Sequence, residues 1–206
     1  MNFLAHLCLA GNRDETLLGG LLGDFVKGSP EGRFSTGVVD GIRLHRAIDS
    51  YADAHAVTRS SRGRISPVRR RFAGVIVDVC YDHFLSRHWR RFNAEDLDVF
   101  VRRVYGVLNA NRSLFPEQLT GVLPRMIAEN WLAGYIHLDR VGDALDRMTR
   151  RLSRGAGFLS AVTEIEASYA ALEADFLAFF PDLVAFCADW TGGRRTLAPA
   201  AGASAL

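Results

Sequence analysis

Four carboxylates and an imidazole stand in segments of the sequence that are otherwise apolar. His45 and Asp49 are four residues apart, and so are Asp78 and Asp82. Residues at that spacing share one face of an α-helix, so each pair would point in one direction. Asp24 continues the leucine stripe of another predicted helix. Carboxylates on apolar helix faces repel one another and are costly to bury unless cations compensate their charge.

A bound divalent metal would supply that compensation. Carboxylates with one or two imidazoles are a ligand set for Mn²⁺, Fe²⁺, Zn²⁺ or Mg²⁺, and helical bundles present such ligands in pairs. No Cys-x-x-Cys pair occurs, which argues against a structural zinc site built from thiolates. The alternative is that each group has an ordinary partner, for example an arginine beside Asp49.

Two further histidines belong to the same pattern. His6 lies inside the apolar run 2–10, and His83 follows Asp82 on the same predicted helix. A single histidine on an apolar face is more often hydrogen-bonded within the core than a ligand. The sequence therefore leaves both a structural and a functional interpretation open for these two imidazoles.

The segments that must position these groups are helical almost throughout. Apolar residues recur at helical spacing, which predicts helices near residues 14–28, 38–56, 67–91, 97–108, 116–135, 139–152 and 159–190. Asp14, Asn93 with Glu95, and Asp139 are the predicted N-terminal caps, and Pro116 can open a helix. Breaks or bends are expected at Pro124 and Pro181. No run alternates like a strand, so the sequence predicts an all-α, single-domain bundle over residues 1–190 with a flexible tail at 191–206.

Composition restricts the class of protein and its location. No apolar stretch approaches the ~20 residues of a membrane span, and no basic residue precedes the first apolar run as a signal peptide requires. We therefore expect a cytoplasmic protein. Its three cysteines are an odd number in apolar surroundings and predict buried, reduced thiols. Neither a Gly-rich nucleotide loop nor a Gly-x-Ser-x-Gly elbow is present, and the glycines at 19, 20 and 23 are better explained by close helix packing.

The positive charge of the chain is concentrated in arginine clusters, although the formal net charge is only +2 and Lys27 is the only lysine. A composition biased towards arginine is one explanation, and an acidic or phosphorylated partner is the other. The clusters are Arg62, Arg64, Arg69, Arg70 and Arg71, then Arg87, Arg90 and Arg91, then Arg150, Arg151 and Arg154.

Five segments together resemble the acyl carrier protein phosphodiesterase family. They are MNFLAHL at 1–7, GDFVKG at 23–28, GIRLHRAID at 41–49, DVCYDHFL at 78–85 and WLxxY at 131–135. The resemblance extends from residue 1 to about residue 190. It implies a metal-dependent hydrolase, with Mn²⁺ as the usual ion, that removes 4′-phosphopantetheine from holo-acyl carrier protein and leaves the apo form. It also implies a non-standard branch of the helical HD phosphohydrolases, since no His-Asp dipeptide occurs here.

Roles for the site residues follow from this resemblance and from the chemistry of the side chains. The expected metal ligands are Asp24, His45, Asp49 and Asp78. The expected catalytic residues are His83 as general acid, Asp82 as its orienting partner or a second-metal ligand, Arg46 against phosphoryl charge, and His6. The arginine clusters would dock the acidic carrier. Two alternatives stay open: an HD-like phosphohydrolase for a nucleotide or another small phosphodiester, and a helical module that binds the carrier without cleaving it.

Overall fold

A computed structural model describes residues 1–149 and 160–197, and within these ranges the chain is helical with no strand. The all-α prediction is confirmed. The α-helices are α1 Phe3–Leu9, α2 Asp14–Leu22, α3 Thr36–Ala54, α4 Ala56–Gly63, α5 Ala73–Arg87, α6 Trp89–Phe92, α7 Leu97–Ala110, α8 Glu117–Ala128, α9 Trp131–Gly134, α10 Leu138–Thr149, α11 Val162–Ala167 and α12 Tyr169–Leu197. Short 3₁₀ helices cover Pro67–Phe72 and Arg112–Leu114.

Helices α2 and α3 approach each other closely because glycines face each other at their crossing. A Cβ atom on Gly19 would lie 2.3 Å from the carbonyl oxygen of Val38, and one on Gly41 would lie 2.5 Å from that of Thr16. Any larger residue would push the two backbones apart. Gly19 is thus a helix packing point, as the sequence indicates, and this close crossing fixes α3 against the end of α2.

Helix α5 is the buried centre of the fold, as its sequence predicts. Its side chains from Ile76 to Leu85 are almost entirely inaccessible to solvent, apart from the partly exposed Asp78. The helix packs against α1, α4, α10 and α12. The helix starts at Ala73 rather than at Pro67, because Pro67–Phe72 forms a 3₁₀ turn first. It ends at Arg87, and Trp89–Phe92 is a separate short helix.

The internal prolines interrupt the helices less than the sequence suggests. Pro124 lies inside α8 and Pro181 inside α12, and neither ends its helix. The break after α8 falls instead at Asn130, whose backbone is left-handed with φ 47°. Asp139 lies in the first turn of α10 rather than before it. Helix α12 runs on to Leu197, and the rest of the predicted tail, 198–206, lies outside the described residues.

Aromatic rings from α5 and α12 fill part of the core. Phe176, Phe179 and Phe180 are fully buried, and Tyr81 meets the rings of Phe176 and Phe179 at centroid distances of 5.5 and 5.6 Å. All three cysteines are free thiols. None of the helices in the described ranges has the length and apolar character that a bilayer span requires.

Candidate metal centre

Four separate elements bring ionisable groups together at one end of the α2–α3 pair. His6 comes from α1, and Asp24 from the turn that follows α2. His45 and Asp49 lie on α3, and Asp78 lies on α5. We call these five residues the acidic–imidazole cluster. Residues that are up to 72 positions apart in the chain therefore meet in one site.

His6, His45 and Asp49 form the core of this cluster. Each offers a potential ligand atom, and these atoms all lie within 4.8 Å of one another. His6 Nε2 is 3.1 Å from Asp49 Oδ1, and His45 Nε2 is 3.3 Å from Asp49 Oδ2. The two imidazole rings are stacked, with centroids 3.6 Å apart and planes inclined by 14°. One carboxylate thus spans two parallel imidazoles.

The backbone of α2 holds the His45 ring in one orientation. His45 Nδ1 lies 2.7 Å from the carbonyl oxygen of Gly20, which can only accept, so Nδ1 carries the proton. That leaves Nε2 directed at the carboxylates, including Asp24 Oδ1 at 3.4 Å. Gly23 makes room for the ring, because a Cβ atom there would lie 2.2 Å from His45 Cγ. A histidine whose second nitrogen is bound to a carbonyl is the usual arrangement of a metal ligand.

The α-amino group of Met1 also enters the cluster. Its nitrogen lies 3.1 Å from Asp49 Oδ1 and 3.4 Å from Asp78 Oδ1, and the Met1 carbonyl oxygen accepts from His6 Nε2 at 3.1 Å. Asp78 reaches the cluster through this amine. No side-chain pattern in the sequence indicates such a contact, since it is made by backbone atoms.

The electrostatics of the cluster favour a positive charge at its centre. Burial favours the neutral His45 ring, but the carboxylates of Asp24 and Asp49 outweigh it and raise the pKa of His45 to about 9. Burial likewise opposes a low pKa at Asp49, yet the contacts with His45, His6 and the amine hold that pKa well below its usual range. His6 is the exception, because burial lowers its pKa to about 4 and keeps it neutral.

Solvent reaches the carboxylates but not the imidazoles. The side chains of Asp24 and Asp49 are 43% and 41% exposed, whereas those of His6 and His45 are 1% and 2% exposed. The imidazole rings are therefore shielded from solvent, while the acidic side chains are partly exposed to it. A solute from outside can therefore approach the cluster on its carboxylate side.

The donor set of the cluster fits a divalent cation. Two imidazole nitrogens and a carboxylate within 4.8 Å match the ligands of Mn²⁺, Fe²⁺ or Zn²⁺. Buried His6 Nδ1 has no hydrogen-bond partner among the described residues, so one imidazole nitrogen of the cluster is left without a partner. Of the four ligands expected from the sequence, His45 and Asp49 lie in the core, and Asp24 and Asp78 lie beside it.

Asp82 is hydrogen-bonded to the start of α1. Its Oδ2 accepts from the backbone N–H of Leu4 at 2.8 Å, and its Oδ1 from that of Ala5 at 3.0 Å. The carboxyl group is fully buried, and burial raises its pKa to about 7 despite these two donors. Asp82 thus joins α1 to α5, which fixes the helix that carries His6.

His83 and Arg46 make contacts outside the core of the cluster. His83 Nδ1 donates to the carbonyl oxygen of Tyr135 at 2.7 Å, and its Nε2 lies 2.9 Å from the hydroxyl of Tyr169. Burial lowers the pKa of His83, so the ring is neutral. Arg46 donates to the carbonyl oxygen of Val26 at 2.6 Å. The catalytic roles expected for these two residues stay predictions.

A small, mainly apolar cavity of about 80 Å³ is lined in part by residues that are close in sequence to the cluster. Its lining includes Phe25, which follows Asp24 in the chain, and Phe3, two residues after Met1, together with Val122, Trp131 and Met148. Consecutive Cα atoms are about 3.8 Å apart, so the backbone of Phe25 lies next to that of Asp24.

Comparison with known proteins supports a family assignment. The family model described as acyl carrier protein phosphodiesterase matches residues 1–183. A protein of that name from Photorhabdus laumondii is 37% identical over 171 residues, covering 82% of this chain and 86% of the relative. Those from Pectobacterium atrosepticum and Yersinia enterocolitica are 35% and 36% identical over 170 residues, covering 82% of this chain and 88% of each relative. No solved structure shows a significant match. The chain therefore belongs to the acyl carrier protein phosphodiesterase family.

Proposed function

We propose that this chain is a divalent-metal-dependent phosphodiesterase that cleaves 4′-phosphopantetheine from the serine of holo-acyl carrier protein. The observation that carries the proposal is the convergence of His6, His45 and Asp49, whose ligand atoms lie within 4.8 Å of one another beside two further carboxylates. The names of the relatives supply the class of substrate.

In this proposal the cluster residues hold the ion and face the substrate. A divalent cation, when bound, activates water and offsets charge on a phosphoryl oxygen. His6, His45 and Asp49 would hold it, the two imidazoles being buried and the carboxylate partly exposed. Asp24 and Asp78 lie next to these ligands and complete the negative potential. The bond from His45 Nδ1 to the Gly20 carbonyl oxygen of α2 would hold that ring in the orientation a metal ligand needs.

Arg46 has a positioning role in this scheme. It follows His45 on α3, and its guanidinium group binds the carbonyl oxygen of Val26 at 2.6 Å. The bond ties the turn that carries Asp24 to the helix that carries His45. Charge neutralisation at the phosphoryl group, the role expected from the sequence, would require the guanidinium to release Val26.

The apolar cavity beside Phe25 is suited to part of the pantetheine arm. The arm carries a gem-dimethyl group close to its phosphate, and an apolar wall there would shield that group from water. A carrier substrate uses such a cavity, whereas a small phosphodiester without an arm does not. This feature favours the carrier over the alternative of a small substrate.

Mass spectrometry of holo-carrier incubated with the full chain and Mn²⁺ tests the proposal. The expected products are apo-carrier with an unmodified serine and free 4′-phosphopantetheine, with ¹⁸O from labelled water in the released phosphate group. Label in the serine, or phosphoserine left on the carrier, would show that a different bond breaks. Intact holo-carrier after incubation with each of Mn²⁺, Mg²⁺, Fe²⁺ and Zn²⁺ would overturn the proposed function. Binding without cleavage would identify a carrier-binding module instead.

A further inference from the structure

An open cleft of about 540 Å³ adjoins the acidic–imidazole cluster on the side of α4 and α5. Four arginines line it, and so does Asp78, which belongs to the cluster. We call it the arginine cleft and define it by Arg59, Arg62, Arg70, Arg71 and Asp78. Because Asp78 is common to both, the cleft leads directly to the candidate metal centre.

Three of these arginines, Arg59, Arg70 and Arg71, are exposed to solvent. Arg62 pairs with Asp53, and Arg59 donates to the carbonyl oxygen of Ala54. Arg70 and Arg71 form no ion pair with the described carboxylates, and Arg71 Cζ lies over the ring of Phe72, 5.0 Å from its centroid. The cleft therefore has a positive rim with two guanidinium groups available to a partner.

Arg69, which precedes Arg70 and Arg71 in the chain, is engaged in other contacts and anchors this rim. Arg69 forms an ion pair with Glu164, which also accepts from the backbone N–H of Ser66 at 2.6 Å. These contacts tie the 3₁₀ helix Pro67–Phe72 to α11. The sequence groups Arg69, Arg70 and Arg71 as one patch, but the structure divides them into one anchor and two open charges.

We propose that the arginine cleft is the surface on which the acidic face of the carrier protein docks, an inference that rests on the proposed function. A wide cleft with exposed guanidinium groups suits the carboxylates of a protein surface, since arginine binds carboxylates in a bidentate manner. Exposed charges at such a rim act mainly on the rate of encounter. Docking there would bring the modified serine next to Asp78.

A second basic cleft provides a matched control. It is about 460 Å³ in volume and is lined by Arg87, Arg90 and Arg102 among others. Arg90 pairs with Asp96 in this cleft, while Arg87 and Arg102 are exposed. None of its lining residues belongs to the acidic–imidazole cluster. It has the same kind of charge but no connection to the proposed chemistry.

The test compares Arg70→Glu/Arg71→Glu with Arg87→Glu/Arg102→Glu in the full chain. For the first variant we expect kcat/KM on holo-carrier to fall about tenfold or more at low salt, with a flatter salt dependence and nearly unchanged kcat. Hydrolysis of bis-p-nitrophenyl phosphate, a small diester, should match that of the parent chain. Fluorescence anisotropy of labelled apo-carrier should show the same loss of affinity without turnover. The second variant should behave like the parent throughout.

Each outcome decides one question. Parent-like kcat/KM and affinity in Arg70→Glu/Arg71→Glu would overturn the docking inference and leave the proposed function intact. A loss confined to Arg87→Glu/Arg102→Glu would place the docking surface at the second cleft and also overturn it. If the parent binds labelled carrier at the arginine cleft but releases no phosphopantetheine, the docking inference holds and the proposed function fails. An absence of binding by the parent would overturn the docking inference itself.

Discussion

At the scale of single residues, the site depends on small clearances as much as on charged groups. His45 Nδ1 is bonded to the carbonyl oxygen of Gly20, and its ring occupies the space that a side chain at Gly23 would fill. Its Nε2 meets two carboxylates only because the ring can occupy that space. A residue without a functional side chain can therefore control the geometry of the candidate metal centre.

Gly23→Ala should damage activity without removing a ligand. The added Cβ atom would lie 2.2 Å from His45 Cγ, so the ring or the turn must shift. A displacement of about 1 Å at a reacting centre can lower activity about 100-fold, and we expect a fall of that order in kcat/KM on holo-carrier. Gly106→Ala is the control, because a Cβ atom there meets no other atom within 4 Å. Parent-like activity in Gly23→Ala would show that the close packing is not needed.

His83→Gln separates a catalytic from a structural histidine. A general acid contributes roughly 10²–10⁴-fold to the rate, but His83 is bound to Tyr135 and Tyr169 rather than to the cluster. From these contacts we expect kcat to change less than tenfold and the melting temperature to fall. A loss of 10²-fold or more in kcat, with the acidic limb of the pH–rate profile changed, would restore His83 as the acid.

At the scale of secondary-structure elements, the junction between α1 and α5 governs the position of His6. Asp82 accepts from the first free N–H groups of α1, which lack partners within their own helix. The bond joins residues 77 and 78 positions apart. A seven-residue helix is too short to be stable alone, so this anchor and its packing keep α1 in place.

Asp82→Asn should loosen this junction in a pH-dependent way. The amide can accept only one of the two N–H bonds, so we expect a loss of about 1–3 kcal/mol in the free energy of unfolding. Burial raises the pKa of Asp82 to about 7, above its unfolded value. The folded parent then binds an extra proton between about pH 4 and 7, and this contribution to stability declines as the pH rises through that range. Urea unfolding at pH 5 and pH 7 should show a smaller difference between variant and parent at pH 7. An equal difference at both values would contradict the raised pKa.

At the scale of the whole molecule, binding of a metal should be visible as stability. An ion that binds only the folded chain stabilises it by about 2.7 kcal/mol at 100 times its Kd, which corresponds to a rise of roughly 5–10 °C in Tm for a chain of this length. We expect Mn²⁺ to raise the Tm and EDTA to reverse the rise and abolish turnover. Asp49→Asn should lose both effects, whereas Asp143→Asn, an exposed acid on α10, should keep them. Full turnover after exhaustive chelation would contradict the metal requirement.

The small apolar cavity gives a test of how the substrate lies across the molecule. Val122→Phe would fill space in this cavity, which Phe25 also lines. We expect kcat/KM on holo-carrier to fall about tenfold while hydrolysis of bis-p-nitrophenyl phosphate stays unchanged, since only the carrier brings an arm. Equal effects on both substrates would indicate a disturbed metal centre instead.

The sequence by itself determined the helices, the family and most of the cluster. Helical periodicity is a local property, so the pairing of His45 with Asp49 on one face could be derived from spacing alone. The distribution of Asp24 and Asp78 on apolar faces indicated a buried site for the same reason. Local signals placed the start of α5 too early, because Pro67–Phe72 forms a 3₁₀ helix first. Pro124 and Pro181 do not end their helices, because packing against neighbouring helices can compensate for a weakened turn.

Only the tertiary structure decided which groups meet. It brought His6 onto the ring of His45, directed Asp82 to the backbone of α1, and placed Met1 between Asp49 and Asp78. It also divided one run of arginines between an anchor on Glu164 and an open rim. These contacts join elements far apart in the chain, and their geometry depends on how closely helices such as α2 and α3 can pack. Spacing along a single helix contains no information about that packing.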